Sequence, residues 1–453
     1  MTADHRVLLM GLGALLVVPV ALQGQDPVPP IDQGVRIGIT YTPGVRPGML
    51  VLRTDAGEIV DSVEAILVRD LDYSDQFEMI TLPGGERMLS TVRTAGDSGD
   101  GDGLRFVNYS LYSALGAYFA VEVEPVDSNR VIVTLYDVYG QQVKKRISAV
   151  LGQVVNQAFR MAVHDIADQF VFGVAGEMGY SASSVLFVRN QRLLVIDADG
   201  GALRSAAPVE DSVYSPVWAR SGRQFIYTVF TATGGKLVLS DRPTASRRTI
   251  PGTEQYTNFA TTISPSGEEI AFARADGSGT HVYSYNLAQD CCLQRLTLDR
   301  FSDNLSPTFS PDGRRIAFVS DRPGLPQIYV MAADGTDQEL FAPMDWGVTG
   351  SSYAPEWSPD GTKIVFHRDV NRSPQLFILD TRSKEVRQLT SFGRNEDPTW
   401  APDSRHIAFV SDRTGSSQLW VIDLETGRVR QMTRIGGVRL PAWSPRLSET
   451  TTP

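Results

Sequence analysis

A chain of 453 residues exceeds one ordinary domain, and 42% hydrophobic against 21% charged residues is the balance of a folded globular protein. A net charge of −10 removes nucleic acid from the expected partners, since that role demands a basic face to displace phosphate counterions. The 40 glycines and 26 prolines imply many tight turns between short elements.

The first predicted element is an export signal over residues 1–24. A basic start at Arg6 leads into an apolar run from Val7 to Leu22, broken by Gly11, Gly13 and Pro19, with small residues at Ala21 and Gly24. A spanning helix needs about 20 uninterrupted apolar residues, so cleavage is expected and an uncleaved anchor is the alternative. No cysteine follows the run to carry a lipid, so the mature chain is expected to be soluble, without direct membrane insertion.

Residues 25–177 read as an α+β domain. Strands are predicted at 35–40, 118–124, 130–138 and 141–147. Val60, Val63, Ile66, Leu67 and Leu71 share one helical face; Leu151, Val154, Val155, Ala158, Phe159, Ala162, Ile166 and Phe170 share another over a longer helix. The stretch "AGDSGDGDG" at 95–103 is a loop.

From 178 to 453 the sequence repeats. Anchors followed by proline or its substitute fall at Trp218, Ile263, Phe309, Trp357, Trp400 and Trp443, at intervals of 45, 46, 48, 43 and 43 residues. That period, with four strands per unit, is the mark of a β-propeller blade. In "FSPDGRRIAFVSDRPGLPQIYVMAADG" (309–335) proline and Gly313 reverse the chain after a first strand, and two alternating strands follow. Second strands number six, from Val185–Val188 to Ile407–Val410, and so do third strands, from Leu193–Ile196 to Leu419–Ile422. The series opens on a second strand and ends on a first. The expected fold is therefore an α+β N-terminal domain followed by an all-β six-bladed β-propeller, its ring closed by pairing of the strand at Trp443 with the one at Val185.

Few motifs carry chemistry. "GDSG" (96–99) lacks the base a serine nucleophile requires. Asp97, Asp100 and Asp102 lack the bidentate glutamate of a calcium loop, which would fall on Asn108 or Leu111. There is no HExxH and no GxSxG, and the chain ends before a hydrolase domain. His164 and Asp168 read as a surface i, i+4 pair, and the "SDR" (320–322, 411–413) and "HRD" (367–369) charges as solvated turns. Adjacent Cys291 and Cys292 read as two free thiols, with a vicinal disulfide as the alternative. Loops before the first strands ("EQYTN", "FSDNL", "GSSY", "GRNED") are polar and suited to docking a protein over the channel mouth.

With these words in view the chain resembles the TolB family, periplasmic components of the Tol–Pal envelope system. The likeness rests on 309–335, "WSPDGTKIVF" (357–366), "EDPTWAPDSRHIAFVSDRTG" (396–415), the terminal "PAWSPRL" and, in the small domain, "RDLDYSDQF" (69–77) and "HDIADQFVFGVAGEMGY" (164–180). Asp75 stands where the family usually has glycine, 47–53 departs from the usual run, and the first two anchors are degenerate. The resemblance implies a monomeric periplasmic scaffold with no catalytic residue, cofactor or metal, serving outer-membrane integrity, cell division and protein import. It implies a Pal-like lipoprotein bound by the propeller face at Thr257, Asn258, Asn304, Leu305, Tyr353, Asn395 and Glu396. A TolA-like inner-membrane protein would be bound by the N-terminal segment with Val35, Arg36, Ile37, Ile39 and Gly44, and other outer-membrane proteins would be further partners. The rival class is a propeller paralogue that binds a ligand or processes carbohydrate or peptide in its channel. Convergent carboxylates would favour it, whereas the first strands carry mostly Trp, Phe, Pro and Ser.

Overall fold

The computed structural model describes residues 46–55, 57–81, 107–152, 154–242, 244–342 and 350–447, all within one compact unit, Arg46–Pro453. The signal at 1–24, the strand at 35–40 with Val35, Arg36, Ile37, Ile39 and Gly44, and the loop at 95–103 lie outside the described residues. Among the described residues no helix is long and apolar enough to cross a membrane.

The α+β part runs β1 (Gly48–Arg53), α1 (Glu58–Tyr73), β2 (Glu78–Met79), α2 (Tyr109–Ala114), β3 (Ala117–Pro125), β4 (Arg130–Asp137), β5 (Gln142–Val150) and α3 (Gln157–Ala175). Its sheet has the order β2-β1-β3-β4-β5, with β1 parallel to both neighbours and the rest antiparallel. The apolar stripe of α1 (Val60, Val63, Leu67, Leu71) and that of α3 (Phe159, Val163, Phe170) bury together against Phe119, Val121 and Val133. Helix α3 starts later than its apolar period predicts. Asn156 accepts a hydrogen bond from the Phe159 N–H, and this cap leaves Leu151, Val154 and Val155 in the preceding loop, Val154 being 68% exposed.

The strands that follow are β6 (Ser184–Arg189), β7 (Arg192–Asp197), β8 (Arg204–Ser205), β9 (Val213–Trp218), β10 (Gln224–Thr231), β11 (Gly234–Asp241), β12 (Arg247–Thr249), β13 (Thr257–Ile263), β14 (Glu269–Ala275), β15 (Thr280–Asn286) and β16 (Cys291–Arg295). Then come β17 (Asn304–Phe309), β18 (Arg315–Ser320), β19 (Gln327–Ala332), β20 (Glu339–Leu340), β21 (Ser352–Trp357), β22 (Lys363–Val370), β23 (Ser373–Asp380), β24 (Val386–Gln388), β25 (Asn395–Trp400), β26 (His406–Ser411), β27 (Gln418–Asp423), β28 (Val429–Gln431) and β29 (Val438–Trp443).

These strands make an all-β propeller. Strands β17–β20, β21–β24 and β25–β28 each form a four-stranded antiparallel sheet, and β9 to β16 form an eight-stranded one whose halves meet in the single parallel pair Gly235↔Thr257. The last sheet has the order β29-β6-β7-β8, with Trp443 opposite Val185 as the strand count predicts. Inner strands pack in succession, β9 on β13, then β17, β21, β25 and β29, and β29 packs on β9. Apolar clusters fill the gaps between neighbouring sheets. Trp218 and Phe225 meet Leu186 and Val188, for instance, and Trp400 and Phe409 meet Val365 and Leu376.

The cysteine expectation is corrected: Cys291 and Cys292 are joined as a vicinal disulfide at the start of β16. Left-handed φ angles at Asp290 and Cys292, and a register shift opposite Ser284–Asn286, give the strand the kink that brings neighbouring sulfurs together.

Candidate functional site

Six inner strands wall a central channel of about 660 Å³. Each carries the same bulge, where Ser215, Ala260, Ser306, Ala354, Asp397 and Leu440 take φ between 49 and 52. The ladder skips a rung there; in β17, Leu305 pairs with Val319 and Thr308 with Ala317. All but Ala260 are followed by proline, which has no N–H to leave unpaired at the skipped rung.

The strands are stitched across sheets by side-chain acceptors. Thr262 Oγ1 accepts from the Phe309 N–H at 3.2 Å, Glu356 Oε1 from the Trp400 N–H at 3.2 Å, and Thr399 Oγ1 from the Trp443 N–H at 3.0 Å. At the bulges Ser215 Oγ accepts from the Ala260 N–H at 2.9 Å and Asp397 Oδ2 from the Leu440 N–H at 3.4 Å. Ala354 has no acceptor to offer, and His367 Nδ1 takes the Asp397 N–H instead at 3.3 Å.

Two carboxylates, Glu356 and Asp397, therefore line a channel whose first strands read as free of convergent acids. Burial pushes Glu356 up to about 7, against the pull of the Trp400 N–H and the Thr399 hydroxyl. Burial, reinforced by the Glu396 charge, raises Asp397 to about 6; burial and Arg394 hold His367 down to about 4. The signal was in the sequence: Glu356 stands between Pro355 and Trp357, where three other repeats have Thr262, Thr308 and Thr399, and Asp397 sits in "NEDP".

At the mouth, the predicted docking residues divide. Asn258, Asn304 and Asn395 are fully buried, their Nδ2 groups donating to loop carbonyls such as Thr253 O, Ser302 O and Phe392 O. Their Oδ1 atoms accept from Arg274 (2.8 Å), Arg322 (3.1 Å) and Arg413 (2.8 Å). These asparagines are structural corners and are withdrawn from any contact surface. Thr257, Leu305, Tyr353 and Glu396 remain partly exposed. Leu305 and Tyr353 are brought together on the channel wall, the Tyr353 ring 5.6 Å from that of His367, while Thr257 and Glu396 stand apart from it.

The same corners correct the reading of "SDR" and "HRD". Arg322 lies over Phe318 and Tyr329, Arg413 over Phe409 and Trp420, Arg368 over Phe366 and Phe377. They are packed cations rather than solvated turns.

At the opposite end of the channel, turns of two neighbouring sheets meet α1 and α3 through buried charge. His164 and Asp168 are fully buried, not a surface pair. His164 Nδ1 lies 2.6 Å from Asp70 Oδ2. Asp168 accepts from the N–H groups of Ser181 and Ala182 and from Arg446 Nε. Arg160 bridges Asp197 (2.9 Å) and Asp199 (2.7 Å). Beside it His406 joins Asp403 (2.6 Å) to Asp75 (3.2 Å), Arg405 grips Asp423 (2.6 Å), and Arg428 holds Asp72 and Asp75. Asp75 itself sits at φ 55, the left-handed geometry that suits glycine. The sets Asp70, His164, Asp199 and Asp75, His406, Asp423 have the ligand types for a cation, but arginines already supply the positive charge.

Residues 173–345 and 346–450 match the family described as the TolB beta propeller domain. The Tol-Pal system protein TolB of Bordetella pertussis is 28% identical over 199 residues, 43% of this chain and 45% of that protein, so the match spans less than half of that relative's length. The protein of the same name from Bordetella bronchiseptica is equally similar over 199 residues. The crystal structure of TolB from Acinetobacter baumannii shares the fold, with a TM-score of 0.74 over 89% of this chain and 98% of that one at 21% identity. The chain belongs to the TolB beta propeller domain family.

Proposed function

We propose that the protein is a non-enzymatic scaffold of the Tol–Pal system in the periplasm, exported by cleavage of residues 1–24. In this reading 25–177 is the N-terminal domain, and 178–453 is a six-bladed ring in which β9–β12 and β13–β16 count as two blades and β29 closes on β6. The mouth around Thr257, Leu305, Tyr353 and Glu396 docks a Pal-like lipoprotein, and the N-terminal segment engages a TolA-like protein. The observation that carries this is the family match over both halves of the propeller. The test is calorimetric titration of the full mature chain with the soluble domain of the Pal-like lipoprotein of the same cell. Heat of a saturable one-to-one complex is expected, and its absence sinks the assignment.

A ligand-processing channel draws on one observation, the presence of Glu356 and Asp397 in its wall. Each, however, is an inter-sheet acceptor at a position where threonine or serine serves elsewhere, which favours a structural role. Glu356 is raised from 4.5 to about 7, so the folded chain keeps a proton the unfolded chain has lost, and stability falls as pH rises through that window. Glu356→Gln keeps the acceptor and removes the loss. It is expected to stabilise the protein at about pH 8 by on the order of 1 kcal/mol and to leave it unchanged at about pH 4, as read by urea unfolding.

A further inference from the structure

Resting on the docking reading, we propose that the loop Leu298–Asp303 is the apolar anchor of the interface, and that it seats Phe301 in a pocket of the Pal-like lipoprotein rimmed by lysine and arginine. The loop joins β16 to β17 at the channel mouth. Phe301 is 99% exposed and Leu298 74%. Single exposed apolar groups are ordinary on a protein surface, but two on one short braced loop are not.

The bracing is specific. Arg295 donates from Nε to Thr297 O (2.6 Å) and from Nη2 to Asp299 O (2.8 Å). Asn304 Nδ2 donates to Asp299 Oδ2 (3.2 Å) and Ser302 O (3.0 Å). The Asp303 N–H donates to Asp321 Oδ1, and Asp303 Oδ1 accepts from the Thr280 N–H, both at 2.8 Å. Residues 297, 299, 302 and 303 are thus tied down while Leu298 and Phe301 project. A pre-ordered aromatic on a fixed loop loses little conformational freedom when covered, which is how interface anchors gain their strength.

Charge identifies the occupant. Asp299, Asp303 and Asp321 lie in or against the loop, and Asp276 holds the neighbouring turn through Ser278. The nearby cations are Arg295, Arg300 and Arg322, but Arg295 is spent on the loop carbonyls and Arg322 is folded inward onto Tyr329 and paired with Asp299, which leaves Arg300 against Asp303 and Asp321. The surroundings of Phe301 are acidic, so the complementary surface is basic. Phe392 holds the corresponding place before β25 and is 70% exposed, but its loop has Thr390 and Arg394 where this one has Asp299 and Asp303, and Arg413 is folded inward onto Trp420 as Arg322 is onto Tyr329.

The test uses the full mature chain and the soluble Pal-like domain, with affinity and association rate measured by biolayer interferometry. Phe301→Ser is expected to weaken binding about tenfold or more with its melting temperature unchanged, while Phe392→Ser stays within about twofold. Association is expected to slow as salt rises from about 0.05 to 0.3 M. If the unaltered chain binds and Phe301→Ser binds equally, the anchor is wrong and the docking reading stands. If the unaltered chain does not bind, both fall. Association that is indifferent to salt, or quickens with it, overturns the basic rim.

Discussion

Deleting residues 438–453 is expected to abolish the cooperative thermal unfolding of the whole propeller. Strand β29 is the inner strand of a sheet whose other three strands lie near the start of the propeller. It also holds its surroundings at several points. The Trp443 indole donates to Ser183 Oγ at 2.8 Å, Ser444 exchanges bonds with Ser184, and Leu447 donates to Ala182 O. On its other flank Trp218 Nε1 donates to Ala442 O, and Arg446 reaches Asp165 and Asp168 on α3. Losing one buried tryptophan costs about 3–5 kcal/mol and each of these bonds about 1 kcal/mol, against a total stability of about 5–15 kcal/mol for a domain. The summed loss is as large as that total. Circular dichroism on heating gives the answer, and a truncated protein that melts as the intact one does would refute closure by β29. Trp443→Ala alone is expected to cost about 3–5 kcal/mol.

At the junction, Asp423→Asn is expected to destabilise by about 3–5 kcal/mol, because Arg405 is buried and Asp423 is its bidentate partner. The histidines set a pH dependence of definite sign. Burial opposes charge on both, but the Asp70 and Asp197 carboxylates outweigh it and push His164 up to about 10, while Asp403 and Asp75 push His406 to about 9. Each is raised above its ordinary 6.5, so its contribution is complete below that pH and is lost as pH climbs through 9 to 10. Asp197 and Asp423, held well below the usual carboxylate range despite their burial by His164 and Arg160 and by Arg405 and His406, contribute above 3.8 and fail in acid. Urea unfolding across pH is expected to show an acid limb below 3.8 and an alkaline limb through 9 to 10, with the decline set by Glu356 between them. In His406→Gln the alkaline limb should flatten; an identical limb in that variant would mean the His406 bridge contributes nothing.

What the sequence made legible follows from range. The hairpins depend on neighbours in the chain, so the anchors and the alternation in segments such as Ile316–Val319 and Ile328–Met331 located the strands. Pairing of β29 with β6 spans the whole propeller, yet it followed from counting strand types. The junction was hidden because its partners are remote: Asp168 and Arg446 are 278 residues apart, and Arg428 and Asp72 are 356 apart. A helical i, i+4 pair such as His164 and Asp168 looks the same in sequence whether solvent or a propeller covers it. The "SDR" arginines were misjudged for a related reason, since what buries them is an asparagine 18 residues earlier and rings on two adjacent strands. Asp75 departs from the family's usual glycine in sequence alone. That it keeps the left-handed backbone and adds a carboxylate for His406 and Arg428 could be seen only in the fold.

The register of β29 on β6 also has a temporal meaning. Strand β29 is synthesised after every other strand described here, so until it emerges the edge of β6 from Val185 to Arg189 has no inner neighbour. A chain emerging from its N-terminal end can form each later sheet from local hairpins within moments of its synthesis. The sheet begun first must wait to be completed last, across the longest loop closure in the propeller. Through that interval a bare apolar strand, Val185-Leu186-Phe187-Val188, stands open to pairing with other chains. The interval from synthesis of β6 to arrival of Trp443 is thus the period in which this edge is open to mispairing, and any variant that slows the final pairing lengthens it.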